Sequence, residues 1–228
     1  MSSSRDARLE TVCAIYEAPV EDGLSRLELW EQGRSPGSSC TPSSFDETYR
    51  AQIVSQIDFL LGPKSSARVL SLGCGNAFIE RALLEAGHDV LATDVSRQAL
   101  AFAQRKGLRT RSLDATVEFP FRGESFDAVI SDGVIGHLTD EQRSLRSFFE
   151  RCRPILKHGG VLFMGNDAPM TGEDIQEHHK LPGLFWFSAQ RLGDSLHEAG
   201  YKDVNTRLLP YFRPEVGTRD RVLAWGTK

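Results

Sequence analysis

Arg68-Val69-Leu70-Ser71-Leu72-Gly73-Cys74-Gly75-Asn76-Ala77 joins a short apolar run to a Gly-x-Gly turn, and a helical pattern opens directly behind it. An apolar run of that length, bounded by glycine, predicts a buried strand. Glycine has no Cβ to hold a ligand off, so the turn lets bare backbone approach whatever binds there. The helix behind it aims unpaired N–H groups into the same crevice. A nucleotide-like cofactor belongs in that place.

From residue 67 onward strand and helix alternate, the mark of a parallel α/β sheet. Strands are predicted over 67–72, 89–93, 109–113, 126–131 and 161–164. Helices are predicted over 76–85, closed by Gly87, and from the cap Ser96 to near Gly107. Thr139-Asp140-Glu141-Gln142 reads as a capping box that opens a helix to Lys157, with His158-Gly159-Gly160 ending it. After an irregular stretch, Ser188 caps a helix that stops at Gly200, and two last strands cover 204–209 and 221–226. Their link, 210–220, has 11 residues, shorter than the dozen or so that a parallel crossover needs. The last strand is therefore predicted to be antiparallel. The first 66 residues differ: helical patterns at 5–17, 21–32 and 45–61 surround a Gly/Ser/Pro-rich segment, 33–44. The organisation expected is an N-terminal helical cap, 1–66, over an α/β core, 67–228, as a single domain overall.

Composition narrows the function classes. A chain of 228 residues buries enough surface to need no disulfide or metal staple. Lys+Arg 27 against Asp+Glu 31 gives a net charge of -4, which argues against a nucleic-acid partner. The basic clusters at 105–111 and 143–157 read as solvated helix faces. Cysteines at 13, 40, 74 and 152 have no paired spacing, and the six histidines make no ligand set with them, so neither a disulfide framework nor a metal site is expected. No apolar stretch approaches the roughly 18 residues of a membrane span, and the N-terminus has no apolar signal core. A cytoplasmic protein with no membrane partner is expected.

In an open α/β sheet, ligands bind beyond the carboxyl ends of the strands. Those ends here carry Gly73 and Gly75, Asp94, Asp114 and Asp132. Asp94 lies 19 residues after Gly75, the distance at which a carboxylate at the second strand end takes a ribose diol through two hydrogen bonds. Asp114 is placed to accept from an exocyclic amine, with the Ala115 N–H donating to an adenine ring nitrogen. Cys74 has no neighbouring base and reads as a small packing residue rather than a nucleophile.

These motifs, in this order, resemble the class I S-adenosylmethionine-dependent methyltransferases over 67–166. The resemblance rests on Val69 to Ala77, Ala92-Thr93-Asp94-Val95-Ser96, Leu113-Asp114-Ala115, Phe126 to Leu138, and the turn Leu156 to Leu162. Ala77 stands where the family's third glycine is usual. The resemblance implies a Rossmann-like, seven-stranded, mostly parallel sheet with an antiparallel last strand and helices on both faces. It implies S-adenosylmethionine as cofactor, with Gly73, Cys74 and Gly75 against its methionine and ribose portions. Asp94 then takes the ribose, Val95 lies against the adenine, and Asp114 and Ala115 bind it. Ser131 and Asp132 border the methionine part and the transferring methyl. Tyr49 and Arg50, on the cap, are candidates to close over the cofactor or hold its carboxylate.

His137 is the candidate base, since it follows the fourth strand and titrates near neutrality. Asn166 and Asp167, His178 with His179, and Trp186 within Phe185-Trp186-Phe187 are candidates for substrate contact. The expected activity is methyl transfer to a small-molecule acceptor, in a biosynthetic or natural-product tailoring role, enclosed by cap residues around Trp30 and 37–50 and by the 166–187 loop. The atom methylated and the oligomeric state are left open. A nicotinamide-dependent oxidoreductase shares the Gly-x-Gly turn and the acidic ribose ligand, but more often has glycine where this chain has Phe78. A non-catalytic cofactor-binding module is the other alternative.

Overall fold

The apolar runs pair into one seven-stranded sheet. The structure, a computed structural model, describes residues 2–35, 41–63, 66–117, 119–138, 144–179, 181, 183–214 and 216–228. The main strands are β1 (Arg68–Leu72), β2 (Asp89–Asp94), β3 (Arg109–Ser112), β4 (Phe126–Asp132), β5 (Leu156–Asp167), β6 (Lys202–Arg213) and β7 (Gly217–Thr227). Their order is β6-β7-β5-β4-β1-β2-β3, with β7 antiparallel to both neighbours. β1 and β4 lie at the centre and are buried nearly throughout, as strands covered on both faces must be. The order reverses between β1 and β4, so a crevice opens beyond their carboxyl ends.

Helices cover the two faces. In chain order they are α1 (Ser2–Glu17), α2 (Arg26–Glu31), α3 (Glu47–Leu61), α4 (Phe78–Glu85), α5 (Arg97–Arg105), α6 (Ile135–Leu138), α7 (Leu145–Cys152) and α8 (Ala189–Glu198). Ile53, Ile57 and Leu61 of α3 share one core with Val69 of β1, Val90 of β2 and Phe163 of β5. α3 thus packs as part of the sheet's cover, although it precedes residue 67. α1 and α2 stand at the mouth of the crevice instead. Leu27 and Trp30 of α2 bury against Ala99 and Phe102 of α5, with Tyr16 of α1 packed on them.

Several elements depart from the sequence reading. The helical pattern at 21–32 begins with a tight hairpin, Pro19–Glu21 against Leu24–Ser25. Asp22 and Gly23 both have positive φ, the conformation a two-residue hairpin turn demands. The helix expected up to Lys157 ends at Cys152, because Pro154 has no N–H to continue it and a 3-10 turn, Arg153–Ile155, takes over. His158-Gly159-Gly160, expected as a loop, lies inside β5 at a register irregularity against β4. A Cβ on Gly160 would lie 2.9 Å from the Lys157 carbonyl, so only glycine fits there. The Thr139–Gln142 capping box lies outside the described residues, and Ser144 caps α7. The 210–220 link is mostly strand: β6 runs through Pro210, which is tolerated because β6 is the sheet edge. The stretch expected to be irregular holds a small hairpin, Ile175–Glu177 with Phe185–Phe187.

Candidate active site

The cavity lies in the crevice, with the β1–α4 turn as its floor and α1 and α2 as its outer wall. Gly73 needs its positive φ, and a Cβ there would collide with the Val134 side chain. Gly75 also has positive φ, and the space where its Cβ would stand is open. Bare backbone therefore faces the cavity at Gly75. Asn76 ties the turn to the cap by donating from Nδ2 to the Leu27 carbonyl and to Glu31, each at 2.8 Å. Its Oδ1 is buried and has no partner among the described residues.

Asp94, at the end of β2, accepts from the Gly75 N–H at 3.0 Å and from the Ser96 N–H at 2.9 Å, one bond on each oxygen. Burial raises its pKa, while those N–H groups pull the other way. Asp114 is fixed by Thr116, whose N–H and hydroxyl donate to Oδ1 at 2.8 and 2.6 Å. Asp94, Val95, Asp114 and Ala115 all line the cavity, as do Gly73, Cys74 and Gly75. Burial pushes the Cys74 thiol well up, which suits a packing residue and not a thiolate nucleophile.

Asp132, at the end of β4, also lines the cavity. Its Oδ1 accepts three bonds: from the Tyr49 hydroxyl at 2.9 Å and from Arg221 Nε and Nη2 at 3.0 and 2.6 Å. Its Oδ2 is buried without a partner among the described residues. A buried acceptor left without a donor costs about 1–3 kcal/mol, so this oxygen is set up for a ligand's donor.

Two cavity-lining groups face each other across the mouth. Tyr16 Oη lies 2.5 Å from His137 Nε2, and the rings meet edge-on at 5.6 Å. Burial raises the Tyr16 pKa far above its usual value, so the phenol stays protonated and is the donor to His137 Nε2 in the tautomer that leaves that nitrogen bare. Glu80, on α4, reaches back beneath the turn and accepts from the Ser71 hydroxyl at 2.5 Å. Burial pushes its carboxyl up to about 7.

The remaining sequence candidates lie elsewhere. Tyr49 is buried behind Asp132 and holds it, without lining the cavity. Arg50 bonds to the Ser43 carbonyl and Glu47 and lies over Phe78, so it holds the 41–44 loop and not a cofactor carboxylate. Ser131 is buried inside β4, away from the cavity lining. Asn166 and Asp167, the last residues of β5, pair with β7, and Asp167 is locked between Arg213 and Arg221 at 3.1 and 2.9 Å. His178 is buried, stacked on His179 and edge-on to Trp186, while Trp186 carries Arg219 over its ring. Asn166, Asp167, His178 and Trp186, expected as substrate contacts, are not among the residues that line this cavity. Conversely, Tyr16, Asn76 and Glu80 were not singled out from sequence. Leu9, Val12, Cys13 and Tyr16 follow one helical stripe and all line the cavity, so periodicity held a signal for α1.

Fold and site together define a Rossmann-like transferase built around an adenosyl cofactor. Residues 70–164 match the family model described as a methyltransferase domain. The chain is 33% identical over 198 residues to a tabtoxin biosynthesis enzyme of Pseudomonas amygdali pv. tabaci, covering 86% of this chain and 78% of that one. It is 28% identical over 112 residues to a ubiquinone biosynthesis O-methyltransferase of Sinorhizobium fredii, covering 45% of this chain and 42% of that one. Among solved structures, phosphoethanolamine N-methyltransferase 2 of Haemonchus contortus matches with TM-score 0.69 at 16% identity, over 89% of this chain and 56% of that one. The 1,6-didemethyltoxoflavin-N1-methyltransferase of Burkholderia thailandensis matches with TM-score 0.58 at 20% identity, over 83% and 91%. The chain belongs to the class I S-adenosylmethionine-dependent methyltransferases. That assignment sets aside the nicotinamide and non-catalytic alternatives. Among the described residues no helix is long and apolar enough to cross a membrane, and no cluster of metal-binding side chains occurs.

Proposed function

We propose that this enzyme methylates a small polar acceptor in the cavity between α1, α2 and the β1–β4 crevice, with His137 as the base and Tyr16 as its partner. The Tyr16–His137 contact carries the reading, because it puts a proton acceptor in the wall of the cavity that the glycine turn also lines. A biosynthetic role is supported by the likeness to the tabtoxin biosynthesis enzyme. The cap, 1–66, acts chiefly through α1 and α2, and Trp30 supplies an apolar wall beside Tyr16.

The residues fit the cofactor. Bare backbone at Gly75, and the unpartnered buried oxygens of Asn76 and Asp132, match a ligand that brings ribose hydroxyls and an ammonium as donors. Asp94 would take the ribose, Asp114 and Ala115 the adenine, and Asp132 Oδ2 a donor of the methionyl part. S-adenosylmethionine, when bound, supplies an electrophilic methyl group on a sulfonium. The chain's own tasks are to align the acceptor, exclude water and accept a proton. Alignment is worth about 7–11 kcal/mol of barrier, and a base about 10²- to 10⁴-fold in rate. An acceptor X–H bonded to the Tyr16 oxygen passes its proton there while Tyr16 gives its own to His137 Nε2. The phenol ends neutral and the imidazole ends charged.

Turnover, read as demethylated cofactor formed across a panel of phenols, amines and carboxylic acids, tests the reading. For the acceptor that reacts, His137→Gln is expected to lower kcat about 100-fold or more, with cofactor affinity changed less than about threefold. An unchanged kcat in that variant overturns the base assignment, and no turnover on any small acceptor overturns the proposed substrate class.

A further inference from the structure

We propose that Glu80 is the residue by which this site tells the positively charged methyl donor from its neutral demethylated product. The proposal rests on the family's cofactor and is independent of the base assignment and of the acceptor. It starts from sequence: β1 carries a small hydroxyl, Ser71, one residue before its end, and α4 carries a glutamate nine positions later. α4 places that side chain under the glycine turn, where it is buried and still lines the cavity.

The charges around it are lopsided. Four carboxylates line the cavity, Glu80, Asp94, Asp114 and Asp132, and no lysine or arginine is among the described lining residues. Asp132 is matched from behind by Arg221, and Asp94 by the Gly75 and Ser96 N–H groups. Glu80 has the Ser71 hydroxyl and its own backbone N–H, with Asp94 and Asp132 opposing its ionisation. Cations on neighbouring elements are committed elsewhere. Arg50 of α3 pairs with Glu47, Lys106 beyond α5 with Glu31, and Arg81 on α4 itself with Glu85. Cys74 in the turn is a neutral thiol, its pKa pushed up by burial. His137 also lines the cavity and is covered by the control variant below.

A carboxyl so placed takes up a proton near pH 7 in the free protein. A positive charge entering the cavity favours its ionised form, while a neutral thioether does not. Donor and product share the same carboxylate, ribose and adenine, whose effect on the pH dependence is common to both; the ammonium, which the sulfonium makes more acidic in the donor, is the part that a change at Glu80 leaves untouched. Glu80 then makes the donor bind more tightly as pH rises, and the product lag behind. The spent cofactor leaves more readily as a result.

The test is calorimetric titration of S-adenosylmethionine and S-adenosylhomocysteine at pH 6 and pH 8, in buffers of different ionisation enthalpy. If the sulfonium lowers the Glu80 pKa by about one unit, donor affinity rises about fivefold over this range and binding near pH 7 releases a fraction of a proton. Product affinity is expected to change less than about twofold. Glu80→Gln, which keeps the bond to Ser71, is expected to remove the donor's gain over the product with rising pH, and His137→Gln to retain it. Equal pH slopes for the two ligands in the unaltered protein overturn the proposal, as does a gain that survives undiminished in Glu80→Gln. Should that variant fail to fold, the unaltered protein alone decides by its two slopes. Failure of both ligands to bind at any pH overturns the proposal together with the cofactor reading.

Discussion

Asp167 accepts from Tyr211, Arg213 and Arg221 at 2.9, 3.1 and 2.9 Å, and all four side chains are buried. Burial alone would raise the Asp167 pKa, but Arg221 and Arg213 outweigh it and hold the carboxyl below its ordinary value. Its stabilising contribution is therefore complete above the usual carboxylate range and is lost as pH falls through the lowered value. Asp167→Asn removes the buried carboxylate shared by Arg213 and Arg221, and leaves Asp132 as the other carboxylate on Arg221. A loss of about 3–5 kcal/mol is expected in urea unfolding at neutral pH, with no new cavity to blame because the two side chains are isosteric. A loss under 1 kcal/mol would mean that the remaining partners of the two guanidinium groups, Asp132 for Arg221 among them, suffice without Asp167. The same residue marks a limit of sequence reading. Its partners lie 44 to 54 positions away, Tyr211 and Arg213 in the 210–220 link and Arg221 at the start of the last predicted strand, so nothing local distinguishes a structural carboxylate from a substrate ligand. Asp94, singled out as the ribose ligand, also has local work: it braces the turn 19 residues before it and the helix two residues after it. Glu80 was not singled out, because its buried position depends on how α4 crosses β1.

At the scale of elements, legibility followed capping and covering. Ser188 was read as a helix start, and its hydroxyl accepts from the Arg191 N–H at 3.0 Å at the head of α8. Ser96 caps α5 in the same way, accepting from Ala99. Ser188→Ala is expected to destabilise the protein by about 1 kcal/mol, measured as a lower urea midpoint with an unchanged slope. Since α8 packs beside β6 and β7 and away from the cavity, cofactor affinity should stay within about twofold. Where reading failed, an element was set by its neighbours. β5 runs through His158-Gly159-Gly160 although its ladder to β4 skips these residues, because Lys228, just beyond β7, exchanges backbone hydrogen bonds with Gly159 and Gly160, and turn-forming glycines yield to that pairing. β6 likewise extends past Pro210 because an edge position asks for no N–H on its outer side. The Asp22-Gly23 turn is the reverse case: a local hairpin signal stood in the sequence and was absorbed into a helical pattern.

At the scale of the whole molecule, the sheet and the mouth of the cavity are built from separate sets of contacts. Among the described residues, the buried members of the two large cores come from α3 onward and none from α1, whose Tyr16 packs on the small cluster around Trp30 and faces His137. The asymmetry suits an enzyme that must admit a cofactor and an acceptor past one wall while the strand ends that bind them stay fixed. It also makes the wall separable in an experiment. Removal of residues 1–17 is expected to leave a cooperatively folded protein, with the far-UV circular dichroism reduced only by the helix deleted. Cofactor affinity should fall about tenfold or more, because Leu9, Val12, Cys13 and Tyr16 no longer shield the crevice from water. Full affinity in the truncated protein would show that the strand ends and the glycine turn bind the cofactor unaided, leaving α1 to act on the acceptor alone. Loss of cooperative unfolding would place α1 within the folding core, against the separation of contacts described above.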